Sequence, residues 1–446
     1  MAGFVDFCPM LVVETAPVFL PEKEYALGIL LRERLRIPFR ISPVAGKQDY
    51  TITTPEGKIL LTIEDHFFGQ MEQGRYLELH RIPAKTERLP HPFTPGEALT
   101  LLFGQPVFGD NRCGIDLVAS AFFMLTRWEE FVRPERDRHG RFPAAASLAA
   151  QNGFLEIPVV DEYVALLANW LSRSGFHLSP NESHYTLHLS HDVDHPLLWW
   201  RAADRIKTLS GSLLKRKNPW EFAFWLRRGR PDPFDSFDWL MDVSERRGLV
   251  SHFNFLGERA PDSDCWYPFA HPFVQQLIKK IAQRGHEIGF HPSYEAFDDK
   301  QRFLQELGSV RQAAAPATVR SGRQHYLRFA APFTWQMWSD AGMETDSTMG
   351  YAETPGFRCG TCHSFPVFNF LTRQVLPLRE LPLVAMDVSF ALYRNDSPEE
   401  AAHLLGRLRE QVRKHRGVFT LLWHNSSLDD YFWRHWKPVY ETFVHA

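Results

Sequence analysis

The chain has 446 residues, 44% hydrophobic and 23% charged, a length suited to two or three domains and an ordinary composition for a globular protein. Fifty basic residues against 53 acidic ones leave a net charge of −3; this speaks against nucleic acid as a partner and gives no sign of membrane binding. The first 22 residues contain no Lys or Arg, and no apolar run reaches the roughly 18 residues of a membrane span, so a cytoplasmic chain without signal peptide or transmembrane helix is expected.

Cys8, Cys113, Cys265, Cys359 and Cys362 are odd in number and thinly spread, which suits a reducing compartment rather than a disulfide framework. The many aromatic residues, 36 Phe and 13 Trp, point to large cores, with a sugar-stacking groove as the alternative. In chain order, the spacing predicts an amphipathic helix over 24–36 (EYALGILLRERLR) and a hairpin over 50–63 turning at Pro55-Glu56-Gly57. FFMLTRWEEFV reads as a helix before a polar loop around Arg138-His139-Gly140, and 159–173 as another helix. A boundary near 183 divides the chain into a smaller α/β domain, 1–183, and a second domain, 184–446.

Beyond it strands and helices alternate. LHLSHDVDH (187–195) is a strand running into two aspartates, and 250–257 is a strand. Residues 272–285 form a helix with Phe273, Leu277, Ile278 and Ile281 on one face, before a short strand EIGFHP. Residues 396–417 form a helix opened by Pro398, with Ala401, Leu404, Leu405, Leu408 and Val412 as its buried stripe, and VFTLLWHN is the strand after it. The alternation predicts a mostly parallel sheet or barrel. KTLSGSLLKRKNP (207–219) and RRGRPDPFDS (227–236) read as an exposed insertion.

Three of these strands end alike: in His191-Asp192-Val193-Asp194-His195, in Gly289-Phe290-His291-Pro292-Ser293, and in Trp423-His424-Asn425. Such ends carry the active sites of parallel α/β folds. Carboxylates and histidines gathered there suit zinc or a similar divalent ion, with a further Asp and His left as base and acid. A lone His at a strand end is usually a hydrogen-bonded loop residue; three such ends on successive units favour a site.

The region 184–430 resembles a polysaccharide deacetylase domain of the NodB-homology group of carbohydrate esterases. The resemblance implies a distorted (β/α) barrel that removes N-acetyl groups with a divalent metal. LSHDVD stands for the first motif, casting Asp192 as catalytic base and Asp194 as metal ligand. GHEIGFHPSYE matches the second motif through His291, a ligand. Where the family has a second His, this chain has Glu295, the expected third ligand, with His195, Ser293 or water as substitutes. Arg323-Gln324-His325-Tyr326 stands for R-x-P-Y, with His325 in place of Pro. It implies that Arg323 orients Asp192 and that the Tyr326 backbone N–H serves an oxyanion hole. His424 fits the general acid, tuned by Asp346 or Asp387. Residues before 184 resemble an accessory domain that precedes such domains in some bacterial polysaccharide-gene proteins, and are expected to complete the cleft or the fold.

The implied activity is metal-dependent removal of N-acetyl groups from an amino-sugar or polysaccharide substrate. The alternatives are an O-acetyl esterase or cyclic amidase on the same scaffold, or a catalytically weak glycan-binding protein, for which the altered second motif leaves room. Cys359-Gly360-Thr361-Cys362-His363 also spells C-x-x-C-H, the c-type haem attachment word. That attachment belongs outside the cytoplasm, so a thiol-bearing structural loop is the expectation, a redox or zinc role standing between the two.

Overall fold

The computed structural model describes residues 10–446 apart from 72–74, 180–182, 229–231, 258–264 and 266. Cys8, the start of the segment read for a signal peptide and part of the RRGRPDPFDS stretch lie outside the described residues.

The first half is built on a mixed sheet of β1 (Leu11–Thr15), β2 (Phe39–Pro43), β3 (Asp49–Thr53), β4 (Ile59–Glu64), β7 (Gly104–Gly109) and β8 (Arg112–Ile115), in the order 2-1-3-4-8-7. β5 (Glu87–Pro90) and β6 (Ala98–Leu101) pair separately. The expected hairpin is β3–β4, antiparallel. Gly57, at φ 88°, closes its turn by donating its N–H to the Thr54 carbonyl at 3.0 Å, a backbone conformation that glycine adopts without steric cost.

The second half holds nine strands: β9 (Thr186–Val193), β10 (Ser251–Leu256), β11 (Glu287–His291), β12 (Ser321–Gly322), β13 (Thr345–Asp346), β14 (Phe365–Asn369), β15 (Gln374–Glu380), β16 (Ala385–Met386) and β17 (Val418–Leu422). Their order is 14-15-13-12-11-10-9-17-16. Every neighbouring pair is parallel except β14–β15. Among the described residues no ladder joins β14 to β16. Residues 189–193 of β9 are all buried, as expected of a parallel strand covered on both faces.

The helices follow their sequence signals closely. Val159–Arg173 forms as expected. Pro272–Gln283 starts at its proline and buries Val274, Leu277, Ile278 and Ile281. Pro398–Lys414 carries a reciprocal Ser397–Glu400 capping box and buries the expected stripe. The helix expected over 24–36 begins earlier, at Leu20, and widens into a π-helix over Gly28–Arg34. Its first turn was hidden because Glu22 and Lys23 look like loop residues, yet both are fully buried: Glu22 pairs with Arg373 at 2.7 Å and Lys23 with Asp65 at 2.8 Å. Of the expected insertion, 207–214 falls in the helix Ala202–Leu214 and 227–228 ends the helix Pro219–Arg228, while 232–236 is irregular.

One hydrophobic cluster runs through both halves of the chain. Tyr25 packs on Phe368 with ring centroids 4.9 Å apart and donates its hydroxyl to the Pro366 carbonyl at 2.9 Å. The C-x-x-C-H loop lies inside this seam. Cys359 and Cys362 are buried, and burial raises both thiols well above the usual range. The Cys362 N–H and Sγ both reach Asp161, at 2.8 and 3.2 Å.

Candidate active site

The ends of β9, β11 and β17 meet over one cavity of about 310 Å³, lined among others by Asp192, Asp194, His291, His325, Tyr326 and His424. At the end of β9, consecutive side chains alternate sides, so Asp192 and Asp194 both face the cavity while Val193 between them is buried in the core.

Asp192 is buried, and its Oδ1 accepts from Arg323 Nη1 at 3.0 Å and from Asn254 Nδ2 at 2.7 Å. Burial alone would raise its pKa; the Arg323 charge, the nearby histidines and the Asn254 hydrogen bond outweigh it and hold the carboxyl below its ordinary value. Arg323 is locked in turn, its Nε donating to the Ser347 carbonyl at 2.7 Å and its Nη2 to the Ser347 hydroxyl at 2.9 Å. Gly289 leaves the space this arrangement needs: a Cβ there would stand 1.9 Å from Asn254 Oδ1.

Asp194, His291 and His325 bring one donor atom each within 4.8 Å of one another. Asp194 Oδ1 lies 3.4 Å from His291 Nε2 and 3.6 Å from His325 Nε2. It is shielded from solvent and has no well-aligned hydrogen-bond donor. His291 Nδ1 is 2.6 Å from the Arg323 carbonyl, so that nitrogen carries the proton and Nε2 presents its lone pair to the cavity. One carboxylate and two imidazoles, one of them oriented from behind by a carbonyl, fit a zinc-like divalent cation.

The third donor differs from the one expected. The Glu295 side chain is 59% exposed and faces Arg328 at 3.7 Å, so Glu295 does not join the group. The turn after His291 explains this: Ser293 is tied down by Glu306, which accepts its N–H at 2.8 Å and also its hydroxyl, and the short helix Tyr294–Phe297 then points Glu295 outward. His325 takes the position instead. Ser293, committed to Glu306, and His195 are outside the group as well. The signal in the sequence was the departure His325 itself, a histidine appearing in one motif where the preceding motif lacks one.

His424 stands across the cavity, its Nε2 3.8 Å from Asp194 Oδ2. Its Nδ1 is 2.8 Å from Asp387 Oδ1, and its backbone N–H donates to Asp387 Oδ2 at 2.9 Å. Burial works against its charge, but Asp387, with Asp194 and Asp192 behind it, pushes the imidazole up to about 9. Asp387, of the two carboxylates expected as candidates, is therefore the one that pairs with His424. Asp346 lies in the core, on a strand paired with Glu380. His191 is occupied structurally, between the Trp423 carbonyl at 2.7 Å and the Ser251 hydroxyl at 3.2 Å.

Tyr326 lines the cavity at φ 57°, followed by Leu327 at φ 54°. Arg141, from the first half of the chain, donates to the Tyr326 carbonyl at 2.9 Å and to the Tyr393 hydroxyl at 3.1 Å, and itself lines the cavity. The loop around Arg138-His139-Gly140 lies alongside: His139 Nδ1 is 3.2 Å from the Tyr294 hydroxyl and its ring packs on Tyr326. Sequence reasoning did not find Arg141 or Asn254; neither belongs to a motif, and each acts through a contact remote in sequence.

A second group of donor atoms, Asp161, Cys362 and His363, is satisfied internally. Arg34 pairs with Asp161, and Thr361 and Cys362 donate to the same carboxylate. An arginine against the only carboxylate disfavours a cation there.

Residues 11–175 match the model of a family of unknown function, DUF7033. No curated protein matches the chain. Among solved structures, a Mycobacterium smegmatis protein described as a polysaccharide deacetylase is similar at 15% identity, over 60% of this chain and 85% of its own, with a TM-score of 0.40. The catalytic domain of a peptidoglycan N-acetylglucosamine deacetylase from Eubacterium rectale is similar at 12% identity, over 60% of this chain and 87% of its own, with a TM-score of 0.30.

Proposed function

We propose that this protein is a metal-dependent deacetylase acting on an N-acetylated amino sugar or glycan, its nine-stranded sheet being the distorted (β/α) barrel of that enzyme class and residues 1–183 an accessory domain that closes one side of the cleft. The observation that carries the reading is the convergence, over one cavity, of the Asp194–His291–His325 donor group with a buried Asp192–Arg323 pair and a His424–Asp387 pair. A divalent cation held by the three donors would supply the positive charge that polarises the acetamide carbonyl and acidifies the attacking water.

The remaining work belongs to the protein. Asp192, kept ionised and aimed by Arg323 and Asn254, accepts the proton of the water. His424, kept protonated by Asp387, delivers a proton to the departing nitrogen, which otherwise leaves poorly. The Tyr326 backbone N–H is the proposed donor to the oxyanion. With His325 as third donor, the altered second motif no longer argues for a catalytically weak glycan-binding protein.

The test is acetate release from N-acetylated sugar oligomers by the zinc-loaded protein, with O-acetylated sugars in parallel. Asp192→Asn should retain zinc and lose turnover by ~10²-fold or more. Acetate from O-acetyl esters alone would make the protein an esterase, and no acetate from either substrate with any divalent metal would end the enzymatic reading.

A further inference from the structure

The near-neutral charge of the whole chain conceals one strongly uneven segment. Between residues 201 and 228, eight Lys or Arg stand against only Asp204 and Glu221, a surplus of +6 in a chain whose total is −3. This segment is the helical hairpin Ala202–Leu214 and Pro219–Arg228 that follows β9. Its acids are answered within the hairpin, Glu221 by Arg216 at 2.7 Å and Asp204 by Lys207 at 3.9 Å, and of the surplus Arg228 meets Asp429 outside it at 3.7 Å, which leaves most of the positive charge uncancelled.

The same hairpin turns apolar side chains outward. Ile206 is 66% exposed, Leu214 78%, Trp220 78% and Leu226 61%. On the first helix Ala203, Ile206, Ser210, Leu213 and Leu214 are all exposed. At 100° per residue they fall within about a third of the helix circumference. Water is a poor neighbour for such a stripe, and a cationic rim around it is the pattern of helices that lie in a membrane interface. Nucleic acid would use the cations and leave the aliphatic stripe without purpose. No helix among the described residues is long and apolar enough to cross a membrane.

We propose that this hairpin docks the protein on an anionic lipid bilayer, with Leu214 and Trp220 entering the interface and Lys215 and Lys217 meeting the headgroups. The hairpin leans on the segment 425–433: Phe224 meets Tyr431 with ring centroids 5.5 Å apart, and Arg228 reaches Asp429 at 3.7 Å. Ser426, Ser427 and Trp433 of that segment line the catalytic cavity, so docking sets a wall of the cavity beside the lipid surface and favours substrates presented there. Docking itself is independent of the chemistry proposed for the cavity.

Flotation of the full chain with vesicles tests this. Vesicles of phosphatidylcholine mixed with phosphatidylglycerol should carry the protein at low salt, and phosphatidylcholine alone should not. Lys215→Gln with Lys217→Gln should weaken binding about fivefold for each charge removed. Leu214→Ser with Trp220→Ser should weaken it at least tenfold at the same salt. All four side chains are exposed, so the variants should keep the wild-type circular dichroism and melting temperature. Absence of flotation with anionic vesicles, or undiminished flotation of the serine variant, overturns the proposal. A dimer dissociated by the serine substitutions without vesicle binding assigns the face to a second copy and overturns it equally, as does DNA retention without vesicle binding.

Discussion

At the scale of single residues, the site is decided by which donor completes the cation group. Glu295 and His325 make opposite predictions. His325→Ala removes one of three donor atoms, and purified protein should carry clearly less zinc than wild type. Glu295→Ala removes only an exposed partner of Arg328, and zinc content should not change. Metal analysis of the two variants after equal dialysis reads this directly, and a loss confined to Glu295→Ala would return the third position to the glutamate. Asp192, Asp194, His291, Arg323 and His424 were all legible as motif residues, because each stands at or just beyond a strand end in a recognisable word. His325 was legible only as an anomaly, and Asp387 only as one of two candidates, since nothing local separates METDS from VAMDV. The structure separates them: Asp387 follows β16, which pairs with β17 just before His424, whereas Asp346 sits on β13 opposite Glu380.

At the scale of elements, that β13–β15 pairing places two carboxyls together in the core. Burial raises both, Asp346 to about 6, and Glu380 is raised further by the Asp346 charge. Trp335 Nε1 and the Met349 N–H donate to Glu380, at 2.9 and 3.0 Å. A carboxyl whose pKa is higher folded than unfolded binds more protons in the native state, so its contribution to stability declines as pH rises from the ordinary carboxylate range through about 6. Asp346→Asn removes one member while keeping an acceptor for Thr348. The variant should melt higher than wild type at about pH 8 and lose that advantage near about pH 4, where the wild-type pair holds its protons. Equal pH slopes of melting temperature in the two proteins would show that the pair ionises without cost. Most elements were readable from periodicity and caps, the 159–173 helix to the residue and the helix expected over 396–417 to within three residues at each end. Leu20–Leu27 was not, because charged residues neutralised in the core look the same in sequence as charged residues in water.

At the scale of the whole molecule, the two halves share buried charge as well as apolar surface. Glu130 pairs with both Arg127, at 2.8 Å, and Arg358, from the other half of the chain. Burial would raise the Glu130 carboxyl, but Arg358 and Arg127 outweigh it and bring it down to about 2. Glu130→Gln leaves the buried Arg358 guanidinium without its carboxylate and Arg127 with Glu129 alone, and should cost about 3–5 kcal/mol in chemical unfolding. An unfolding midpoint equal to wild type would show the pair to be dispensable. The sequence by itself determined the strand–helix alternation, the capped helices and the three polar strand ends, because these follow from spacing within a few residues. Only the tertiary structure decided that His325 joins Asp194 and His291, that Asn254 joins Arg323 in holding Asp192, and that Arg141 of the first half reaches the cavity. Those contacts join positions tens to hundreds of residues apart, and what brings them within hydrogen-bonding distance is the packing of one sheet against its neighbours, which no local pattern records.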